Sequence, residues 1–248
     1  MSQDKPAIIF LHGVGLDKTC WAAQEPALAP HARVITYDLL GHGDCRKPDR
    51  EITLHDYVEQ LRQLMDDEGL ERAILVGFSF GGLTLQLFAT TYPERVEKLV
   101  IMGAVYRRTP EQIAAVAGRL ETAEREGPEA IISAAITRWY APEYQAAHPE
   151  VIEATKTRLK SNIPHEFLTA YRIFVTSDHL VTGKLEEIAA PTLVIAGELD
   201  PGSTPDMAKT MADEIPDARL CIIPGARHML PVESSEAVNA ALIDFLNE

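Results

Sequence analysis

The segment Gly77-Phe78-Ser79-Phe80-Gly81-Gly82 places a serine between an apolar run and a helical pattern. The apolar run, residues 73–76, ends directly before it. Glycines two positions before and two positions after the serine permit a turn that is too tight for side chains. This is the G-x-S-x-G pattern of a sharp strand-to-helix turn that exposes a serine hydroxyl. A serine that only caps the N-terminus of a helix is the alternative interpretation.

A serine hydroxyl becomes a nucleophile only when a base takes its proton and donors stabilise the oxyanion that forms. Asp200 comes shortly after the apolar run 192–196, and His228 shortly after the run 220–223. We predict that Ser79 is the nucleophile, that His228 is the general base and that Asp200 orients the imidazole. Their chain order differs from both unrelated serine protease orders and is the order of the α/β-hydrolases.

The chain resembles an α/β-hydrolase from end to end, because four motifs occur in the family's order, each after a candidate strand. The fourth motif is His12-Gly13-Val14-Gly15, which follows the apolar run 7–11. The resemblance implies that this segment is the oxyanion loop, with the backbone N–H of Val14 as one donor. The backbone N–H of Phe80, the residue after the nucleophile, is the second implied donor.

Two alternatives concern the acid and a metal. Glu198 lies two residues before Asp200 and competes with it for the acid's role, although alternation along the turn directs it elsewhere. His12 and His42 are potential metal ligands, but neither an H-E-x-x-H nor a C-x-x-C pattern accompanies them. We predict no metal and no cofactor. A serine at the turn also argues against relatives that place an aspartate there, such as haloalkane dehalogenases.

Length and composition favour one α/β domain with an insertion. The chain has 248 residues, 46% of them hydrophobic, which suffices for a sizeable core. Its 37 acidic and 23 basic residues give a net charge of −14, which argues against nucleic-acid binding. No basic leader and no run of about 18 apolar residues is evident, so neither a membrane span nor export is predicted. We expect a cytoplasmic protein, a monomer or homodimer, in a reducing compartment that suits its three cysteines.

Short apolar runs alternate with helical patterns, which predicts a mostly parallel sheet flanked by helices. About six strands are expected, at residues 7–11, 34–37, 73–76, 99–102, 192–196 and 220–223. The N-terminal hairpin usual in the family is predicted to be missing. Between residues 106 and 185 strand patterns vanish and helical ones replace them, which predicts a helical lid. The predicted core is therefore 1–105 and 186–248.

The predicted lid contains a segment that bears on the substrate. Its Arg138-Trp139 pair resembles the corresponding segment of 3-oxoadipate enol-lactonases. The resemblance implies that Arg138 binds a substrate carboxylate and that Trp139 forms a wall of the pocket; a solvated helix face and lid core are the alternatives. Trp21 and Met229 are further candidates for substrate contact, and either could equally belong to the core.

These observations predict a serine hydrolase that cleaves a small carboxylic ester or lactone through an acyl-enzyme. The partner expected is therefore a small-molecule ester or lactone. Two alternatives stay open. One is hydrolysis of a carbon–carbon bond in a ring-cleavage product by the same three residues, and the other is a ligand receptor of this fold that hardly turns over.

Overall fold

The structure, a computed structural model, describes residues 5–248. Within that range six strands form one sheet, in which every neighbouring pair is parallel. The strands are β1 (Ala7–Leu11), β2 (Arg33–Thr36), β3 (Ala73–Phe78), β4 (Val96–Met102), β5 (Thr192–Gly197) and β6 (Ala218–Ile223). Their order across the sheet is β2-β1-β3-β4-β5-β6. The predicted α/β class and six-stranded sheet are confirmed, while residues 1–4, before β1, lie outside the described residues.

Eleven α-helices accompany these strands within residues 5–248. They are α1 (Gln24–Leu28), α2 (Leu54–Asp67), α3 (Phe80–Thr91), α4 (Pro110–Glu126), α5 (Ile132–Trp139), α6 (Pro142–Ala147), α7 (Pro149–Lys160), α8 (Pro164–Thr176), α9 (Pro205–Glu214), α10 (Leu230–Glu233) and α11 (Ser235–Leu246). The start of α2 follows from its sequence, because Thr53 and Asp56 form the reciprocal hydrogen bonds of a capping box.

Strands β1, β3 and β5 are almost entirely apolar because helices cover both faces of the sheet. Every residue of β1, β3 and β5 is buried. Successive side chains of a strand point to opposite faces, and accordingly Ile9 and Leu11 pack in one core cluster while Ile8 and Phe10 pack in the other. Helices α2, α3 and α9 contribute to the first cluster, and α1 and α11 to the second.

Between β4 and β5 the chain forms five helices, α4 to α8. We call residues 106–185 the helical insertion. Arg108, near its start, pairs with Asp178, near its end, and also donates to the Phe174 carbonyl at 2.9 Å. The hydroxyl of Tyr106 accepts a hydrogen bond from the Gly183 N–H at 3.0 Å. These contacts hold the two ends of the insertion together at the sheet. Its status as a separate lid domain stays a prediction.

The turn between β3 and α3 requires glycine for steric reasons. Ser79 has φ 54° and ψ −110°, in a region that L residues rarely adopt. A Cβ on Gly77 would lie 2.5 Å from the Gly81 carbonyl oxygen. A Cβ on Gly81 would lie 2.3 Å from the carbonyl oxygen of Leu11 in β1. Neither contact can relax by moving a flexible side chain, because both neighbours are backbone atoms.

We therefore expect Gly81→Ala to lower the free energy of unfolding by at least about 2 kcal/mol, because it forces two backbone segments apart. Gly118→Ala is the matched control. Gly118 lies in α4, and a Cβ there would meet nothing within 4 Å. That change should raise the free energy of unfolding by about 0.5–1 kcal/mol through helix propensity. Urea denaturation measures both, and equal stability of the two variants would contradict the packing described for the turn.

Candidate active site

Three parallel strands bring the predicted catalytic residues to one edge of the sheet. Ser79 follows β3 directly, Asp200 lies in the loop after β5, and His228 lies in the loop after β6. The carboxyl ends of parallel strands face the same side, which is where α/β sheets bind ligands. The order of the strands thus explains how residues 149 and 28 positions apart come into contact.

The three side chains form a continuous hydrogen-bond chain. His228 Nε2 lies 3.2 Å from Ser79 Oγ, and His228 Nδ1 lies 2.6 Å from Asp200 Oδ2. All three residues are buried, with 5%, 8% and 3% of the surface of Ser79, His228 and Asp200 exposed. The carboxylate binds the Nδ1–H tautomer, which leaves Nε2 free to accept a proton from the serine hydroxyl.

Both oxygens of Asp200 have partners, which fixes the carboxylate. Oδ1 accepts hydrogen bonds from the backbone N–H groups of Gly202 at 2.8 Å and Ser203 at 3.1 Å, so that Oδ2 faces His228. Glu198 points elsewhere: its Oε2 accepts from the Gly225 N–H at 2.8 Å. The alternative acid therefore supports the turn that precedes His228 and does not contact the imidazole.

His228 is also held by its backbone and by aromatic rings. Its N–H donates to the carbonyl of Trp139, at the end of α5, at 3.1 Å. The ring of Phe78 lies 5.0 Å from the imidazole, and that of Trp139 lies 6.1 Å away, between ring centroids. The helical insertion thus takes part in positioning the imidazole.

The predicted oxyanion donors are two backbone amides beside Ser79. Val14 and Ser79 line the same cavity, and Phe80 is the first residue of α3. Within residues 5–248, neither the Val14 nor the Phe80 N–H donates to a protein acceptor. Free N–H groups at the start of a helix can bind an anion. The structure therefore leaves both predicted donors available.

His12 ties the loop after β1 to its neighbours. The Leu39 N–H donates to its Nε2 at 3.0 Å, so the proton resides on Nδ1, which donates to the Gly13 carbonyl at 2.8 Å. The His12 carbonyl accepts from the Gly81 N–H at 3.1 Å. Burial lowers the pKa of His12 to about 4, so the ring is neutral. His12 is a structural residue of the loop that carries Val14.

A cavity of about 130 Å³ opens beside Ser79 and His228. Besides these two residues it is lined by Val14, Val105, Arg108, Gln112, Ala115, Val116, Arg119, Arg138, Trp139, Tyr171, Phe174, Asp200, Pro201, Gly202 and Ser203. Arg138 and Trp139 are thus among the lining residues, and their contact with a substrate stays a prediction.

Trp21 and Met229, predicted to contact substrate, lie instead in the core. Trp21 is fully buried beneath the serine turn. The centroid of its ring lies 4.7 Å from that of Phe10 and 6.4 Å from that of Phe78. Met229 is 2% exposed and belongs to the same apolar cluster. Both are adjacent to site residues in sequence or space, but their side chains point into the second core cluster. This placement agrees with the core alternative, and contact of either residue with a substrate stays a prediction.

Arg108, Gln112 and Arg119 line the cavity but were not predicted from the sequence. Arg108 precedes α4, while Gln112 and Arg119 lie on it, with Val116 between them. The spacing i, i+4, i+7 puts Gln112, Val116 and Arg119 on one face of the helix. That periodicity was the available signal, but the sequence did not show which way the face points.

His12 and His42 pack edge to face, with ring centroids 5.1 Å apart. Burial lowers the pKa of His42 to about 3, and the neighbouring His12 ring adds to this only when it is protonated. Among residues 5–248, no group of three or more metal-ligating side chains is gathered in one place. Nor, in the same range, does any helix combine the length and apolar character that crossing a bilayer demands.

Comparison with known proteins relates the whole chain to hydrolases. Residues 8–241 match the model of the alpha/beta hydrolase family. The 3-oxoadipate enol-lactonase 2 of Acinetobacter baylyi is 28% identical over 96% of this chain and 88% of its own length. The structure of the enol-lactonase from Burkholderia xenovorans LB400 superposes with a TM-score of 0.91 at 28% identity, covering 98% of this chain and 92% of that one. A malate-bound thermophilic esterase from Thermogutta terrifontis superposes with a TM-score of 0.88 at 31% identity, covering 98% and 89%.

The neutral His12 gives a pH dependence that can be measured. Because its pKa falls from 6.5 to about 4 on folding, the unfolded chain binds more protons between these two values. We therefore expect this histidine to make the free energy of unfolding fall as the pH drops from about 6.5 to 4. When urea denaturation is repeated across this pH range, the free energy of unfolding should change less with pH in His12→Gln than in the wild type. An NMR titration in which the His12 ring protonates near pH 6 would contradict the assignment.

Proposed function

The chain belongs to the alpha/beta hydrolase family, and we propose that it is a serine hydrolase that cleaves a small carboxylic ester or lactone through an acyl-enzyme. The observation that carries the proposal is the hydrogen-bond chain from Ser79 through His228 to Asp200, with distances of 3.2 Å and 2.6 Å. The similarity to an enol-lactonase and to an esterase, each over nearly the whole chain, supports the ester or lactone bond as the one cleaved.

In the first half of the proposed reaction, Ser79 Oγ attacks the carbonyl carbon while His228 Nε2 accepts the serine proton. The bond between that carbon and the leaving oxygen then breaks. The imidazolium gives its proton to the leaving oxygen, so an alkoxide becomes an alcohol and an enolate becomes an enol. For a lactone the leaving oxygen stays attached to the acyl group, because the broken bond lies within a ring.

In the second half, water takes the place of the serine. His228 Nε2 accepts a proton from the water, whose oxygen adds to the acyl carbon. Collapse of this intermediate breaks the bond to Ser79 Oγ, which regains its proton from the imidazolium. The products are a carboxylic acid and the regenerated enzyme. Asp200 stabilises the imidazolium in both halves, held in place by the N–H groups of Gly202 and Ser203.

The oxyanion in each half would be held by the backbone N–H groups of Val14 and Phe80. Donors that are fixed before the reaction stabilise developing charge without reorganising, and one such donor contributes on the order of 10²–10³ in rate. Both are fixed here by the backbone: Phe80 by the helix that it begins, and Val14 by the loop that His12 holds.

The helical insertion would act as the lid of this site. Its residues Arg138, Trp139 and Tyr171 form one side of the cavity and would contact the substrate. A cavity of about 130 Å³ accommodates only a small substrate. Covering the serine in this way keeps bulk water from the reacting atoms, which strengthens the interactions with charge inside the site.

We expect Ser79→Ala to lower kcat for 4-nitrophenyl acetate on the order of 10³-fold or more while leaving the fold intact. In addition, intact-mass spectrometry after exposure to a fluorophosphonate should find one adduct on the wild type and none on the variant. Ser161→Ala, at an exposed serine of the helical insertion, is the control and should behave like the wild type. Near-normal kcat in Ser79→Ala would refute the proposed nucleophile.

The two carboxylates of the β5 loop permit a matched test of the acid. Asp200→Asn should lower kcat on the order of 10³–10⁴-fold, because the amide favours the wrong imidazole tautomer. Glu198→Gln should change kcat by less than about threefold, since Glu198 binds only the Gly225 N–H and contacts no reacting group. Steady-state kinetics on the same ester measures both. The reverse ranking would assign the acid to Glu198.

A further inference from the structure

The cavity beside Ser79 is rich in arginine although the chain as a whole is acidic. Arg108, Arg119 and Arg138 all line it, in a protein of net charge −14. An arginine that only stabilises the fold normally has an acidic partner when it is buried. The partners of these three side chains therefore decide which of them are available to a ligand.

The positive charge of Arg108 already has an acidic partner. Its guanidinium forms a bidentate ion pair with Asp178, and it also donates to the carbonyls of Phe174 at 2.9 Å and Val175 at 3.0 Å. The same group lies 5.1 Å from the centroid of the Phe174 ring. Arg108 thus holds the insertion together and offers little charge to the cavity.

Arg119 and Arg138 lack such partners. Within residues 5–248, neither guanidinium lies within 4.0 Å of a carboxylate. The contact of Arg119 is with Tyr171, whose hydroxyl oxygen lies 3.4 Å from Nε. Burial and the charge of Arg119 lower the pKa of Arg138, but a guanidinium stays protonated in proteins. Two positive charges therefore lie close together at the cavity without an acid between them.

Asp200 is the acidic residue that lines this cavity, and its charge reaches Arg138, but within residues 5–248 it forms an ion pair with neither guanidinium. One of its oxygens binds His228, and the other accepts from Gly202 and Ser203. Half-buried like charges are unfavourable unless an anion compensates them. An anionic group of the ligand would compensate both, and a guanidinium pairs with a carboxylate through two parallel hydrogen bonds.

A second, apolar chamber of about 40 Å³ adjoins this cavity. Val14, Arg138, Trp139 and Tyr171 line both spaces, so the two meet at the loop that carries the proposed oxyanion donor. The remaining wall of the chamber is formed by Pro128, Ile131, Ile132, Ala135, Leu159 and Phe167, all without charge. Apart from Arg138 at its mouth with the cavity, the chamber therefore suits an apolar group that extends from the reacting carbonyl.

We propose that Arg119 joins Arg138 in a two-guanidinium subsite for a free carboxylate of the substrate, while the apolar chamber receives the substrate's uncharged half. Resting on the proposed hydrolase function, this narrows the substrate class to esters or lactones that carry a carboxylate on one side of the cleaved bond and an aliphatic group on the other. Arg119, which the resemblance to enol-lactonases did not implicate, becomes a residue that determines specificity.

The charge of the substrate is tested with an isosteric pair, monoethyl glutarate and ethyl 4-carbamoylbutanoate, which differ by a carboxylate and a neutral amide. We expect kcat/KM of the wild type to be about 10- to 100-fold higher for the carboxylate than for the amide, because hydrogen bonds between charged groups are stronger than those to a neutral group. Arg119→Gln should lower kcat/KM for the carboxylate at least tenfold more than kcat/KM for the amide, while Arg119→Lys should retain part of the preference. Arg125→Gln, at an exposed arginine of the same helix, is the matched control and should keep the preference.

Equal turnover of the two esters by the wild type, or an Arg119→Gln variant that loses activity on both alike, would overturn the subsite. Calorimetric titration with glutarate separates this failure from failure of the hydrolase proposal. Ser79→Ala should bind glutarate, and Arg119→Gln in that background should weaken binding at least tenfold. Glutarate binding without turnover of any ester would refute the proposed reaction but support the subsite. Ester turnover without a preference for the carboxylate would support the proposed reaction but refute the subsite.

The apolar chamber is tested on α5. Ala135 is buried against the chamber, whereas its neighbour Ala134 is exposed. Ala135→Leu should lower kcat/KM for monobutyl glutarate at least tenfold relative to monomethyl glutarate, because the added side chain occupies the space of the butyl group. Ala134→Leu, the control, should leave that ratio unchanged. Equal ratios in the two variants would place the uncharged half of the substrate elsewhere.

Discussion

The contact of Gly81 with β1 is the constraint on which the site depends. Its N–H donates to the His12 carbonyl, and its Cα approaches the Leu11 carbonyl so closely that no side chain fits between them. One residue thereby joins the turn that carries Ser79 to the loop that carries Val14. Nucleophile and proposed oxyanion donor keep their separation because two backbone segments are in direct contact, whatever the surrounding side chains do.

The buried histidines extend that constraint outward. His12 connects the loop after β1 to the segment after β2 through the Leu39 N–H, and it can do so only as a neutral ring. Its imidazole replaces the backbone pairing that ends where the strands end. A histidine that a sequence search could mistake for a metal ligand or a base is thus a crosslink between two loops. Asp200 is held in a comparable way by two backbone amides.

The sequence predicts well those features that depend on local pattern. Buried strands such as β1 and β5 are continuous apolar runs, so they were predicted correctly. The contact among Ser79, His228 and Asp200 followed from their order and from the shared edge of parallel strands. The sequence left open whether Trp21 and Met229 line the site or the core, because adjacency to a motif does not determine the face toward which a side chain points; in the structure both pack in the second core cluster. Arg119 was missed since its lack of an acidic partner depends on where every carboxylate lies in the fold.

The end of α5 is fixed to the loop of the general base. The carbonyl of Trp139 accepts hydrogen bonds from both His228 and Met229, at 3.1 Å and 3.0 Å. The Ala141 N–H donates to Glu233 Oε1 at 2.8 Å, which adds a third connection. The insertion therefore cannot swing away from the sheet at this point without displacing the imidazole. This end of α5 is thereby anchored to the loop of His228, and any motion of the insertion that widened the cavity would have to involve the helices farther from it.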